Sequence, residues 1–155
     1  MPRTLEPFRT FDSYAFGSTM AEVKASFGEP DLEEADEIME EVRFTYGGVT
    51  LYFIDNEPGD LGADPEEWAA GFEGVLRDIS VDGDDVVVEG FHLTDDAQVA
   101  ALLGKHPHET VKDYTLVAEL GLLLGGFAKK NRSKRMVDMR SEDRLPAMRA
   151  MLEVQ

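Results

Sequence analysis

One pattern occurs twice in this chain, and it constrains the fold more than any other feature. Thr19 followed three places later by Glu22 is a capping box, in which the threonine hydroxyl and the glutamate carboxylate satisfy backbone N–H groups left open at a helix start. It predicts a helix over residues 20–28, closed by Gly28 and Pro30, with Met20, Val23, Ala25 and Phe27 as its apolar face. A shift of 76 positions carries Thr19 onto Asp95, Glu22 onto Gln98, Val23 onto Val99, Ala25 onto Ala101 and Gly28 onto Gly104. Further on, Phe127 answers Phe53 at a shift of 74, and Asp138 answers Asp78 at a shift of 60. The offset shrinks because the second copy lacks a counterpart of the long loop at 56–72. A duplicated helix-plus-hairpin unit accounts for this pattern, since either half alone buries too little apolar surface to fold. At 155 residues the chain is expected to be a single domain, 1–155, with a first unit over 8–85 and a second over 86–140. Residues 141–155 then form a C-terminal segment. Its helix is predicted over 146–154, with Leu145, Met148, Met151 and Leu152 set to pack on the sheet edge.

Between these helices the chain reads as strands, which makes the expected class α+β. Residues 38–46 and 49–55 are rich in β-branched and aromatic side chains and flank Gly47-Gly48, a hairpin signal. Residues 74–81 and 86–93 read as a second hairpin across Asp82-Gly83-Asp84-Asp85. Residues 113–120, 121–128 and 134–140 repeat the strand pattern, the last two across a basic turn at 129–133. Asp64-Pro65 predicts a short helix over 65–70 by placing an N-cap acid before a first-turn proline. The stretch 29–41 carries eight acids in thirteen positions and reads as a solvated loop entering a strand.

Charge bounds the function. The net charge of −17 argues against a general nucleic-acid binder, because phosphate contacts need cations. It is also uneven: residues 1–100 hold 25 acids and 5 bases, whereas 101–155 hold 7 acids and 10 bases. Such asymmetry steers association with an oppositely charged protein. Zero cysteines exclude disulfides, thiolate metal sites and thiol catalysis. With no apolar export segment at the start and no run of 18 apolar residues, the expected location is the cytoplasm, away from membranes.

Gly17, Met20, Glu22, Val23, Phe27, Gly28, Pro30 and Asp31, followed by Tyr46, Gly47, Gly48, Val49, Leu51 and Phe53, form a capped helix ending in Gly-x-Pro-Asp and then a Tyr-Gly-Gly-Val-Thr-Leu-Tyr-Phe strand pair. This resembles the SmpA/OmlA and β-lactamase-inhibitor-protein-like superfamily. The second copy, through Val99, Gly104 and Pro107, is most similar to the inhibitor-protein branch, which is built from two such units. The resemblance covers most of residues 16–140. It implies a curved antiparallel sheet with helices on one face, forming a non-enzymatic module whose exposed sheet face and loops bind another protein. Envelope members carry an export signal, and the lipoproteins an acylated cysteine, neither of which is seen here. The expectation is therefore a cytoplasmic immunity or inhibitor protein that neutralises a toxin or effector.

Glu33, Glu34, Glu37, Glu40 and Glu41 are the expected docking carboxylates for a basic partner. An alternative for the same run is a solvated edge that discourages sheet-to-sheet aggregation. Tyr46, Tyr52 and Trp68 are the expected aromatic anchors. Lys129, Lys130, Arg132, Lys134 and Arg135 form a basic hairpin tip, either solvated or touching an acidic half, the latter in a head-to-tail oligomer. His106-Pro107-His108-Glu109, with His92 elsewhere, is the one cluster with metal-ligand residue types, but Pro107 at a helix exit spoils the i, i+2 geometry. Asp82-Gly83-Asp84-Asp85 lacks the downstream glutamate of a calcium loop and reads as a turn. No catalytic residue, metal or cofactor is expected. A second function class, a ligand-binding or enzymatic domain using the cupped sheet as a pocket, remains open on the sequence.

Overall fold

The computed structural model describes residues 3–36, 41–54, 72, 74–127 and 134–153. Along the chain, β1 (Arg3–Glu6), β2 (Thr10–Phe11) and β3 (Tyr14–Ala15) precede α1 (Met20–Phe27), after which come β4 (Leu32–Asp36), β5 (Glu41–Tyr46), β6 (Val49–Ile54) and β7 (Val75–Asp82). Then β8 (Val86–Val88) and β9 (Phe91–His92) precede α2 (Asp96–Lys105). They are followed by β10 (Glu109–Val111), β11 (Tyr114–Val117), β12 (Leu122–Gly125), β13 (Met136–Arg140) and α3 (Leu145–Glu153). The fold is thus mixed α+β and mostly sheet. One sheet has eight antiparallel strands in the order β10-β11-β12-β13-β7-β6-β5-β4, and a smaller one runs β3-β2-β1-β8-β9. Helices α1 and α2 are each followed by a four-strand meander, and the last strand of each meander, β7 and β13, meet at the centre of the large sheet.

Local sequence explains where the elements begin and turn. Thr19 accepts from the Glu22 amide at 3.1 Å while Glu22 accepts from the Thr19 amide at 3.2 Å, so the capping box forms. At α2 the Asp95 carboxylate accepts from the Ala97 amide at 2.9 Å, and Gln98 turns back to accept from the His92 amide at 2.8 Å. The β5–β6 turn holds Gly47 at φ 59°, a left-handed conformation that glycine adopts without a Cβ penalty, and the Asp31 carboxylate accepts its N–H at 2.7 Å.

Period-two alternation separates the two faces of the large sheet. On the first face Phe44, Leu51, Phe53, Ile79, Leu122, Leu124, Val137 and Met139 are buried against Val23 of α1, Val99 and Leu102 of α2, and Leu5, Phe11, Val86 and Val88 of the small sheet. Burying each large apolar side chain contributes about 1.5–3 kcal/mol, so this layer dominates the stability. Only Val23 of α1 is fully buried, and that helix is further held by Phe27, whose ring lies 4.4 Å from Tyr14. On the second face a smaller cluster of Leu116, Leu123 and Leu152 joins α3 to β11 and β12.

Several expectations change. Residues 74–81 and 86–93 do not form a hairpin: β7 pairs with β6 and β13, while β8 pairs in parallel with β1 and antiparallel with β9. The Asp82–Asp85 turn therefore carries the chain from one sheet to the other, because the wholly buried Val86-Val87-Val88 run completes the core under the small sheet. The strand expected over 86–93 breaks at Glu89-Gly90, both at positive φ. The acidic stretch contains a strand, β4, where a loop was expected, since its carboxylates find cations on β5 and α1. Helix α3 lies over a sheet face and not an edge, which places helices on both faces of the large sheet. The helix expected over 65–70 and the basic tip at 129–133 lie outside the described residues.

Candidate protein-docking face

The second face is organised in rows that run across the strands. One row joins Glu34, Arg43, Tyr52, Asp78 and Arg140, each directly opposite the next in the β4, β5, β6, β7 and β13 register. The next row joins Leu32, Thr45, Thr50, Ser80, Asp138, Leu123, Leu116 and Glu109 across all eight strands. Charged and hydroxyl side chains, with Tyr52 and the edge residue Leu32, thus occupy the second face from β4 to β13, and leucines under α3 occupy it from β12 to β11.

At the β4 end, Arg43 is shared by three carboxylates: Glu34 at 3.0 Å, Glu41 at 3.4 Å and Asp36 at 3.6 Å. One guanidinium thus gathers carboxylates from β4 and β5, and Arg144 also acts on Glu41. Burial pushes the Glu41 carboxyl above its usual range, with Arg43 opposing. Beside it stands Leu32, 50% exposed. Tyr52 is half-buried in the middle of the row, and burial, followed by the negative charge of Asp138, raises its phenol.

At the centre the charges are buried. Arg140 lies 3.3 Å from Asp138 and 3.8 Å from Asp78, and Arg144 lies 3.6 Å from Asp78. Burial pushes the Asp138 carboxyl up to about 6, against the pull of Arg140. Buried ion pairs recover desolvation only with good geometry, so these pairs at 3.3 to 3.8 Å add little net stability.

The expected docking residues do not share one surface. Glu34, Glu41 and Tyr52 stand together on the second face. Glu33 faces the α1 side, where Lys24 pairs with it at 2.7 Å and also lies over the Phe44 ring. Tyr46 is on the first face as well, near the Tyr14 and Phe27 rings, with its hydroxyl donating to the Gly28 carbonyl at 2.8 Å. Glu37, Glu40 and Trp68 lie outside the described residues, as do Lys129, Lys130 and Arg132. Lys134 is exposed, whereas the Arg135 side chain is only 4% exposed. Arg135 pairs with Asp84 at 3.2 Å and Asp96 at 2.7 Å and stacks 4.5 Å from Phe127, tying the inter-sheet turn to the start of α2.

Arg43, Asp78, Asp138, Arg140 and Leu32 are the members of this face that sequence reasoning did not nominate. For the four charged residues the signal was present as charges alternating with apolar positions in strands, as in Val137-Asp138-Met139-Arg140, while Leu32 gave none. Among the described residues no group of three or more His, Asp or Glu side chains stands ready to hold a metal ion, and no helix is long and apolar enough to cross a membrane. Comparison with protein-family models, curated proteins and solved structures gives no match for this chain.

Proposed function

We propose that this chain is a non-enzymatic protein-binding module of the immunity or inhibitor kind, which covers a basic functional surface of a toxin or effector with the β4 end of its large sheet. The observation that carries this reading is Leu32, half exposed beside the three carboxylates gathered on Arg43. An apolar contact flanked by carboxylates suits a cationic partner: the charges speed encounter and the apolar contact slows release. Two helix-plus-meander halves joined through β7 and β13 support the likeness to the tandem inhibitor branch, in which the sheet face is the binding surface. A cytoplasmic setting belongs to the same proposal.

The test is capture from the source organism's lysate with the tagged chain at low and high salt, followed by an activity assay of the captured protein with and without the chain. A stoichiometric basic protein is expected, released by salt and inhibited by the chain. Glu34→Gln with Glu41→Gln should slow its association, and Leu32→Ala should speed its dissociation. If capture and inhibition are unchanged in these variants while Glu34→Gln promotes self-association, the acids guard a sheet edge and the docking reading fails.

A further inference from the structure

Away from the large sheet's second face, His106 sits immediately after α2 with its side chain 10% exposed, and both ring nitrogens meet carboxylates. Nδ1 is 2.9 Å from Glu119 Oε2, in the short 3-10 turn 118–120 between β11 and β12, and Nε2 contacts Glu89 Oε1, in the turn between β8 and β9. Neutral imidazole has one N–H and one lone pair, so it satisfies one carboxylate and repels the other, whereas imidazolium donates to both. Lys105 stands 3.8 Å from the second oxygen of Glu89, and the ring of His108 meets the His106 carbonyl at 3.0 Å.

We propose that Glu89, His106 and Glu119 form a proton-dependent latch, which ties the β8–β9 turn and the 118–120 turn to the end of α2 when His106 is protonated and lets the 118–120 turn go when it is not. Glu119 is the side that releases. Glu89 keeps Lys105 beside it after the proton leaves, while Glu119 is half exposed and turns readily to water. Glu89 holds φ 52° in the two-residue hairpin turn that joins Val88 to Phe91, which fixes where its carboxylate starts from. The hydrogen bonds to Glu119 and then Glu89 raise the His106 pKa above its ordinary value. The latch therefore stabilises fully below the unfolded histidine pKa of about 6.5, and its contribution is lost as pH rises through the higher folded value.

The experiment is an NMR titration of the His106 ring, combined with amide exchange at Gly121, whose N–H donates to Ala118 at 3.1 Å. Melting temperatures are followed over the same pH range. In the full-length chain His106 is expected to titrate above 6.5, with a protection factor at Gly121 about tenfold lower on the alkaline side. Glu119→Gln should lower the midpoint, and His106→Gln should abolish the protection step together with a fall of about 2–4 °C in melting temperature. Should His106→Gln fail to fold, Glu119→Gln carries the test. His108→Gln should leave the step in place. A His106 midpoint at or below 6.5, a Gly121 protection factor constant across the titration, or an unchanged step in His106→Gln would each overturn the latch.

Discussion

At the β10 end of the large sheet, Leu116 and Leu123 meet Leu152 of α3, and the second face there is closed by a helix of the same chain. At the β4 end, the same face of an otherwise similar meander carries Glu34, Glu41, Arg43 and Tyr52, and no described helix lies over it. The backbone plan of the two ends is alike, so the difference comes from the residues at alternate positions. Leucine there recruits a helix by removing apolar area from water. Carboxylates and a guanidinium there gain by pairing with one another, as around Arg43, and give no apolar area for a helix to cover.

The sharpest way to break this comparison is Leu123→Ala, which removes the leucine under α3. It is expected to cost about 2–5 kcal/mol in denaturant unfolding, and a loss well under 1 kcal/mol would mean that α3 is not held by this contact. The centre, where the two ends meet, is tested by Asp138→Asn. Asp138 has its carboxyl pushed up to about 6 by burial, above its unfolded value, so the native state takes up the proton first. Stability should rise as pH falls from about 6 to 4, by an amount on the order of 3 kcal/mol from this group, and the rise should be absent in Asp138→Asn. An identical slope in both proteins would place the titration elsewhere. The smallest effect is expected at the β4 end, where Glu34→Gln should change stability by no more than about 1 kcal/mol, as for an exposed ion pair. A larger loss would make the Arg43 cluster a structural feature and weaken its assignment to a partner.

Much of this fold was legible in local patterns. The caps at Thr19 and Asp95, the glycine turn after Tyr46, and the matched Asp78 and Asp138 all depend on contacts within a few residues or on a period that strands repeat. The pairing of β7 was not legible, because Asp82-Gly83-Asp84-Asp85 has the composition of a hairpin turn whether the chain folds back or crosses to another sheet. Nor was the strand in the acidic run, since Glu33 and Glu34 disfavour a strand until Lys24 and Arg43 stand opposite them. The docking set divided for a related reason. Alternation sends neighbouring residues to opposite faces, so Glu33 and Glu34 part company the moment β4 forms, and Tyr46 joins an aromatic cluster with Tyr14 and Phe27 from far along the chain.

The class, the two capped helices, the alternating strands and the lopsided charge follow from short-range sterics, hydrogen bonding and composition. Tertiary structure alone decided that β7 and β13 lie side by side, that Arg135 turns inward to Asp84 and Asp96, and that His106 meets two carboxylates from segments 17 and 13 residues away. Those are choices among many compatible pairings of distant segments, and only the simultaneous burial of the first face and of the leucines under α3 selects one of them.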